Sequence, residues 1–419
     1  MKQLDAIGIQ RIEAGNATIS KQDADSVKAI AQLGLKAKIY VFCRSMPADA
    51  KLAKECGVDG VLMEIPASEH LLKYGKRWSV DKAIKAAIEG TLAAKEEGLL
   101  VSFFPADSSR ADIEYLLDMI DQVKTEGHMD SVVLVDTFGC YTPMAAAYTV
   151  KRIKERFPAL PVEAHFHEDY DMGVANTIAA FTAGADVAHT TINGVGERSG
   201  SVPYEPLVLS LKLLYGVDTG IQLDKIVETS KMLRQMTGQD VHPHKAVVGD
   251  RIFTYETGLP WSLWKNCRDE NPTAMFSYMW EVTGHKGPGL VIGKKSGKDN
   301  IKDYLDKLGL VADNAQVTRI LDLVKEKAYE VNRVLNDDEF RAIHKEVARE
   351  RLEGRSRLSL QWHNGFAGSL RRRRDLNSYI EVFLVPPNIN EVGDGNQAFP
   401  FDSINFCLSC CAVVVFIEA

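Results

Sequence analysis

The chain has 419 residues, about three times the length of a typical domain, so we expect one large domain with appendages or two to three modules. Hydrophobic residues make up 45% and charged residues 26% of it, which excludes wholesale disorder and a small disulfide-held scaffold. The formal net charge is -7, from 50 basic and 57 acidic residues, so neither nucleic acid nor a membrane is an expected partner. These values favour a protein that acts on small molecules.

The seven cysteines are scattered along the chain, which fits a reducing compartment. Cys407 and Cys410 form a CxxC motif, but no second pair or nearby histidine completes a zinc site. The N-terminus does not have the pattern of a signal peptide, and no run of about eighteen apolar residues occurs. We therefore predict a cytoplasmic protein.

From residue 1 to about 215, short β-branched apolar runs alternate with amphipathic stretches, a pattern that predicts parallel strands joined by helices. Seven strands are predicted: Ile9–Glu13, Lys38–Phe42, Gly60–Ile65, Leu99–Phe104, Ser131–Asp136, Val162–Phe166 and Asp186–Ile192. The clearest helices are Lys21–Gln32, Val80–Lys95, Ala111–Lys124 and Pro143–Arg156.

Two sheet arrangements suit such units. An open doubly wound sheet usually has a glycine-rich phosphate loop after its first strand, and Ala14-Gly15-Asn16 is not such a loop. Polar residues at the strand ends favour a (β/α)8 barrel, whose C-terminal face carries the site. These residues are Glu13, Glu64, Asp107, Asp136, His165, His167 and Asn193.

One barrel strand is missing from the count. Met1 lies in a predicted helix that leads directly into the Ile9 strand, so we predict a TIM barrel that lacks its first strand. The strands at Ile9 and Asp186 would then have open edges, and we would expect the protein to be poorly soluble. Another segment, such as the C-terminal tail or a partner chain, could fill the gap, or the sequence is an incomplete gene product.

Three parts are predicted along the chain. Residues 1–220 form the incomplete catalytic barrel, residues 221–354 form a helical linker or accessory subdomain, and residues 355–419 form an atypical tail. The tail contains no lysine and has four consecutive arginines from Arg371, so we expect it to be disordered or a misread extension. Its apolar run Phe406–Ile417 is too short to span a bilayer and would promote aggregation if exposed.

Two neighbouring segments carry the candidate chemistry. His165 and His167 lie two residues apart on a predicted strand and therefore project from the same face, a spacing that suits a divalent metal. Taken alone, the pair is equally well explained by two histidines hydrogen-bonded in a polar barrel mouth. The next unit ends in a loop with three glycines, Gly194, Gly196 and Gly200, whose amides can approach an anion closely. A plain surface turn is the alternative for this loop.

With these segments in order, the chain resembles a family of metal-dependent barrel enzymes. The family includes 2-isopropylmalate, homocitrate and citramalate synthases and hydroxymethylglutaryl-CoA lyase, and the likeness covers about residues 1–350. GKKSG at residues 293–297 resembles the linker of the synthases and favours them over the lyases. The other matching motifs are IEAG at 12–15, the pair Asp107 and Arg110, DTFG at 136–139, HFHED at 165–169 and NGVGER at 193–198.

The resemblance implies an enzyme of amino-acid biosynthesis that condenses acetyl-CoA with a 2-oxo acid. It also implies a divalent cation (manganese, magnesium or zinc), acetyl-CoA as co-substrate and a homodimer. His165 and His167 would be metal ligands, with Ser201 a weaker third, and Glu13 and Thr137 would be catalytic. The implied substrate-binding residues are Asp107, Arg110, Thr137, Asn193, Gly194 and Gly196.

The sequence also departs from the family. An Arg-Asp pair on the family's first strand supplies the third metal ligand and stabilises the enolate, and this pair is absent, so the resemblance implies an N-terminally truncated member. Ser201 replaces an asparagine near the metal, and Pro260 replaces a histidine associated with proton transfer, which leaves the general base unassigned. A retro-aldol lyase and a catalytically silent barrel therefore stand beside the synthase as hypotheses.

Overall fold

The structure is a computed structural model that describes residues 1–351 and 414–418. These residues form two compact units. The first comprises Met1–Phe253, Tyr278–Gly287 and residues 414–418, and the second comprises Thr254–Ser277 and residues 288–351. Within the described ranges, no helix combines the length and apolar character needed to cross a membrane.

The first unit contains a closed barrel of eight strands, in agreement with the predicted barrel architecture. Seven of them follow the predicted βα alternation and pair in parallel where they are neighbours. In chain order the strands are β1 Arg11–Glu13, β2 Lys38–Arg44, β3 Gly60–Pro66, β4 Leu100–Ala106, β5 Ser131–Asp136, β6 Val162–Phe166 and β7 Val187–Thr191. Their carboxyl ends meet at one mouth of the barrel.

The eighth strand comes from the C-terminus. Residues Val414–Glu418, named β10 here, lie between β1 and β7 and run antiparallel to both. Val414 pairs with Thr191, and Phe416 pairs with Arg11. The two strand edges predicted to be open are therefore joined by this segment.

The expectation of a wholly disordered or misread tail is wrong for residues 414–418. The physical reason is the alternation of their side chains. Val414 and Phe416 pack inside the barrel, whereas Val415 and Ile417 pack into the apolar layer outside it. The remainder of the tail, with Cys407 and Cys410, lies outside the described residues.

Helices cover the outside of the barrel. Side chains of Ser20, Ser79 and Thr142 cap three of them by accepting backbone N–H groups, which explains why these helices begin where the sequence predicts. The helices of this unit are α1 Lys2–Ala6, α2 Lys21–Ala31, α3 Pro47–Cys56, α4 Val80–Glu96, α5 Ile113–Glu126, α6 Pro143–Arg156, α7 Gly173–Thr182, α8 Tyr204–Leu214 and α9 Ile226–Thr237.

The barrel unit extends beyond the boundary predicted at residue 220. Ile226, at the start of α9, and Val248 are buried in the same apolar cluster as the barrel strands. Helix α9 was predicted to belong to the accessory subdomain because its amphipathic pattern alone does not reveal which core it covers. The structural boundary instead falls after Phe253.

The second unit is mainly helical and has its own apolar core, with Ile301, Tyr304, Val324 and Phe340 buried at its centre. A short parallel pair, β8 Thr254–Tyr255 and β9 Gly289–Leu290, accompanies the helices. The helices are α10 Gly258–Cys267, α11 Lys298–Leu308, α12 Asn314–Val331 and a last helix, α13, over residues 337–351.

Candidate active site

The histidine pair lies at the mouth formed by the strand ends. His165 belongs to β6, His167 directly follows it, and their ring centroids are 5.3 Å apart. Burial lowers the pKa of His165 well below its ordinary value, and the neighbouring histidines lower it further. Burial, and then the charge of Arg198, lower the pKa of His167. Both rings are therefore neutral near pH 7, which is the form that binds metal ions.

The glycine loop fixes the orientation of His167. The carbonyl oxygen of Gly200 lies 3.1 Å from Nδ1 of His167 and also accepts the backbone N–H of Glu168 at 3.0 Å. Because a carbonyl only accepts, Nδ1 of His167 carries the ring proton and Nε2 retains its lone pair. Gly200 has a φ of 94°, and a side chain there would collide with the carbonyl oxygen of Gly194. The glycine loop thus holds His167 in the tautomer whose Nε2 can bind a metal ion.

Asp107, Arg110 and Thr137 meet at the neighbouring strand ends. Asp107 is fully buried, and its carboxylate accepts hydrogen bonds from Arg110 at 2.8 and 2.7 Å. The backbone N–H of Asp107 donates to Oγ1 of Thr137 at 2.8 Å. The hydroxyl proton of Thr137 is thereby left to donate to a ligand. Since Asp107 and Arg110 neutralise each other, Thr137 is the donor that this group offers most directly.

A second arginine stabilises the same part of the rim of the barrel mouth. Arg198 donates to both carboxylate oxygens of Asp169, at 2.8 and 2.9 Å, and to the backbone carbonyl of Thr137 at 2.6 Å. Its guanidinium also lies 5.2 Å from the ring centroid of Phe138. Arg198 also forms an ion pair with the adjacent Glu197 at 3.8 Å, but the contacts with Asp169 are shorter.

The predicted substrate-binding residues of the glycine loop mainly hold the loop itself. The amide of Asn193 donates to the carbonyl of Ser230 at 3.3 Å and accepts the hydroxyl of Ser230 at 2.5 Å. Gly194 has a φ of 71°, and a Cβ on Gly196 would lie 3.0 Å from the backbone N of Ser201. The Asn193 amide is therefore already satisfied, which leaves backbone groups as the loop's contribution to ligand binding.

Glu13 ends β1 and is 8% exposed. Burial raises the pKa of its carboxyl to about 8, so the group is largely protonated at neutral pH. A protonated carboxyl can donate a hydrogen bond, and a group that titrates near pH 8 can exchange a proton under working conditions. This agrees chemically with the predicted catalytic role, for which Glu13 stays a candidate.

The raised pKa of Glu13 predicts a pH-dependent stability. The folded chain holds this proton up to about pH 8, whereas the unfolded chain loses it near the ordinary pKa of 4.5. The stability that the group contributes is therefore complete below pH 4.5 and is lost as the pH rises through 8. Relative to Glu13→Gln, the wild-type free energy of unfolding should fall by roughly 4 kcal/mol between pH 5 and pH 8.5.

Urea unfolding of both chains at the two pH values measures this difference. Glu55→Gln, at an exposed position on α3, is the matched control and should follow the wild type. Equal pH dependence of Glu13→Gln and wild type would show that Glu13 is ionised in the folded protein.

The two histidines can bind a divalent cation only if water or substrate fills its remaining coordination positions. Ser201 is buried and lies opposite His167 in an isolated antiparallel bridge, which places it beside the histidine pair. Within residues 1–351 and 414–418, no cluster of three or more His, Cys, Asp and Glu side chains is arranged to hold a metal ion. Two neutral imidazoles nevertheless fit a cation whose other positions take water and substrate oxygens.

Sequence reasoning missed a polar network inside the barrel. Glu163 and His189 are almost completely buried, and their side chains are 2.6 Å apart. Arg11 adds an ion pair with Glu163 at 2.9 Å. Glu163 precedes His165 by two residues on one strand, so the period-two pattern contained a signal for its position. His189 carried no such signal, because its contact with β6 depends on the barrel register.

The comparisons with known proteins agree with this fold. The model of the HMGL-like family matches residues 1–233, more than half of the chain. The chain is 35% identical to (R)-citramalate synthase of Methanocaldococcus jannaschii over 85% of this chain and 71% of that protein. For homocitrate synthase of the same organism the identity is 34%, over 84% and 85% of the two chains.

A protein of Ignicoccus hospitalis named "Probable 2-isopropylmalate synthase" is 35% identical over 84% of this chain and 86% of its own. Among solved structures, the HMG-CoA lyase of Bacillus subtilis superposes with a TM-score of 0.52 at 20% identity, over 57% of this chain and 85% of that chain. The latter likeness supports the barrel fold alone.

The curated relatives are synthases, which identifies this chain as an enzyme of the transferase class. The chain belongs to the HMGL-like family. The predicted resemblance and barrel fold are confirmed.

Proposed function

We propose that this chain catalyses the condensation of acetyl-CoA with a 2-oxo acid. The observation that carries the proposal is the match to three named synthases over 84–85% of the chain. That span exceeds the barrel unit, so it includes much of the second unit as well. The lyase fold likeness, in contrast, covers 57% of the chain.

The histidine pair is proposed to hold the cofactor. A divalent cation at His165 and His167 would supply Lewis-acid polarisation of the 2-oxo acid carbonyl. The tautomer of His167, set by Gly200, presents Nε2 for this purpose. The Thr137 hydroxyl is proposed to donate to the carboxylate of the 2-oxo acid, and the backbone N–H groups of Gly194 and Gly196 to approach other anionic atoms.

Glu13 is proposed to move a proton at the same mouth. Its buried carboxyl titrates near pH 8, close to the range in which an acid or base can exchange protons during turnover. Asp107, Arg110 and Arg198 would keep the rim rigid rather than react. Acetyl-CoA as co-substrate, a homodimer and a cytoplasmic location stay predictions that accompany this function.

The test is release of free thiol from acetyl-CoA. Purified protein is mixed with acetyl-CoA, Mn²⁺ and, one at a time, pyruvate, 2-oxoglutarate and 2-oxoisovalerate. Thiol release that requires one of these acids supports the synthase. Formation of acetyl-CoA from a hydroxyacyl-CoA, with no thiol release, would support the lyase alternative.

One observation favours a second candidate, a catalytically silent barrel. The described residues provide two imidazoles but no third strong ligand for a cation. Removing one anionic ligand from such a site weakens cation binding. In the same assay, thiol release from none of the acids at saturating Mn²⁺ would support the silent barrel.

A further inference from the structure

A chain of buried polar side chains lies beneath the histidine pair. Glu163 is fully buried in β6, and its Oε1 accepts hydrogen bonds from Ser131 at 2.6 Å, from Arg11 at 2.9 Å and from Ser102 at 3.1 Å. Its other oxygen, Oε2, lies 2.6 Å from Nε2 of His189. Three donors on one oxygen, one of them a guanidinium, fit an ionised carboxylate.

His189 connects this carboxylate to the candidate site. Its Nδ1 lies 3.3 Å from Nδ1 of His165, and the two rings meet at 81° with centroids 5.3 Å apart. Phe416 of β10 packs against the ring of His189 at a centroid distance of 4.4 Å. His189 is 1% exposed, so water does not substitute for either partner.

The positions of the protons follow from these contacts. An ionised carboxylate only accepts, so Nε2 of His189 carries a proton and donates it to Glu163. Two ring nitrogens in contact hold one proton between them, because two protons would repel each other. The Arg11 guanidinium already neutralises the Glu163 carboxylate, and a second buried cation beside it would be costly, so the His189 ring is neutral and has its lone pair on Nδ1. The shared proton therefore belongs to Nδ1 of His165.

We propose that Glu163 and His189 are positioning residues that hold His165 with its proton on Nδ1 and its Nε2 lone pair available at the barrel mouth. The arrangement is a carboxylate, an intermediate imidazole and a ligand imidazole in series. It rests on the proposed function in one respect only, namely that His165 binds a cation. His167 reaches the same tautomer by a different route, through the carbonyl of Gly200.

Strand β10 supports this series. Glu418 accepts a hydrogen bond from Nε of Arg11 at 3.1 Å, while Nη1 of the same guanidinium donates to Glu163. The ring of Phe416 also lies under that guanidinium, 5.4 Å from its Cζ. The C-terminal strand therefore contributes side chains to the support of the site as well as closing the barrel.

The first experiment reads the tautomer directly in the metal-free protein. Long-range proton–nitrogen correlation spectra of histidine-labelled wild type should show His165 protonated on Nδ1 and unprotonated on Nε2, with the signal assigned by its loss in His165→Ala. A wild-type His165 protonated on Nε2 would overturn the proposal. This measurement does not depend on metal binding, so it separates the proposal from the proposed function.

The second experiment compares two replacements of His189 by Mn²⁺ titration. In His189→Gln the side-chain oxygen can still accept the Nδ1 proton of His165, so we expect an affinity within a few-fold of wild type. In His189→Leu the acceptor is lost, and the affinity should fall by about 10- to 100-fold. Equal affinities of the two variants would assign His189 a packing role and contradict the proposal.

Two further outcomes have distinct meanings. A wild type that binds no Mn²⁺ contradicts the proposed function, while the wild-type spectrum still decides the tautomer. If either variant fails to unfold cooperatively in a thermal melt, the wild-type spectrum decides the proposal: His165 protonated on Nδ1 supports it, and His165 protonated on Nε2 overturns it.

Discussion

Deletion of residues 414–419 is expected to leave a chain that does not form a stable barrel. The four residues Val414, Val415, Phe416 and Ile417 are at most 5% exposed, and their removal re-exposes the apolar surfaces they cover. At about 1.5–3 kcal/mol for each large buried side chain, the loss is on the order of 8 kcal/mol. That is comparable with the whole stability of a typical domain.

The deletion also opens the sheet. Without β10, the backbone N–H and C=O groups of β1 and β7 that face it lose their partners, and both edges can pair with other chains. We therefore expect aggregation at micromolar concentration and loss of the cooperative thermal transition. Both are measured by light scattering and calorimetry on the chain that ends at residue 413.

Point variants separate the burial from the charge of this strand. Phe416→Asp places a charge in the barrel interior and should be nearly as damaging as the deletion. Glu418→Gln changes a side chain that is 50% exposed and should shift the melting temperature by only a few degrees. A truncated chain that stays monomeric and melts like the wild type would show that the barrel does not need β10.

Replacement of His167 by alanine is expected to lower kcat for thiol release by about 10³-fold or more. The variant loses one of the two imidazoles proposed to hold the cation, and Lewis-acid stabilisation contributes several kcal/mol to such steps. Each 1.36 kcal/mol corresponds to a tenfold change in rate. Single-turnover and steady-state assays with the best 2-oxo acid measure the effect.

Folding must be shown to survive this change. His167 is half-buried, and its principal hydrogen bond is to the carbonyl of Gly200, so the melting temperature should fall only slightly. His70→Ala, at an exposed position, is the matched control and should retain wild-type activity. A folded His167→Ala variant whose activity is within a few-fold of wild type would show that His167 has no role in the site.

Local patterns were sufficient for the seven parallel strands of the barrel and for several of its helices. Strands β5 and β6 have the predicted bounds, and α6 begins and ends as expected because Thr142 caps it and Pro143 suits its first turn. The spacing of His165 and His167 likewise placed both rings side by side. Each of these features depends on residues that are near in sequence.

Features that depend on register or on distant segments were not predictable in the same way. The sequence showed β-forming residues at 414–418 but not that they would run antiparallel between β1 and β7. The contact of His189 with Glu163 likewise requires the pairing of β6 with β7. The tail was one of the alternatives for the segment that fills the gap, but its composition did not distinguish it from a partner chain or an incomplete gene product.

The hydrogen-bond partners of the residues at the barrel mouth were also not predictable from the sequence. The resemblance assigned Asp107, Arg110 and Asn193 to substrate binding. In the structure Asp107 and Arg110 form an ion pair, and Asn193 is bonded to Ser230. A pattern of residue types specifies which groups are present, whereas their partners depend on how the loops fold.

The most direct test of the central claim is calorimetric titration of metal-free protein with Mn²⁺, for wild type and for the His165→Ala and His167→Ala variants. We expect one cation to bind each wild-type chain at the histidine pair, and each variant to lose at least a hundredfold in affinity. Equal affinities in all three proteins, or no binding to any of them, would contradict a metal site built on these two histidines.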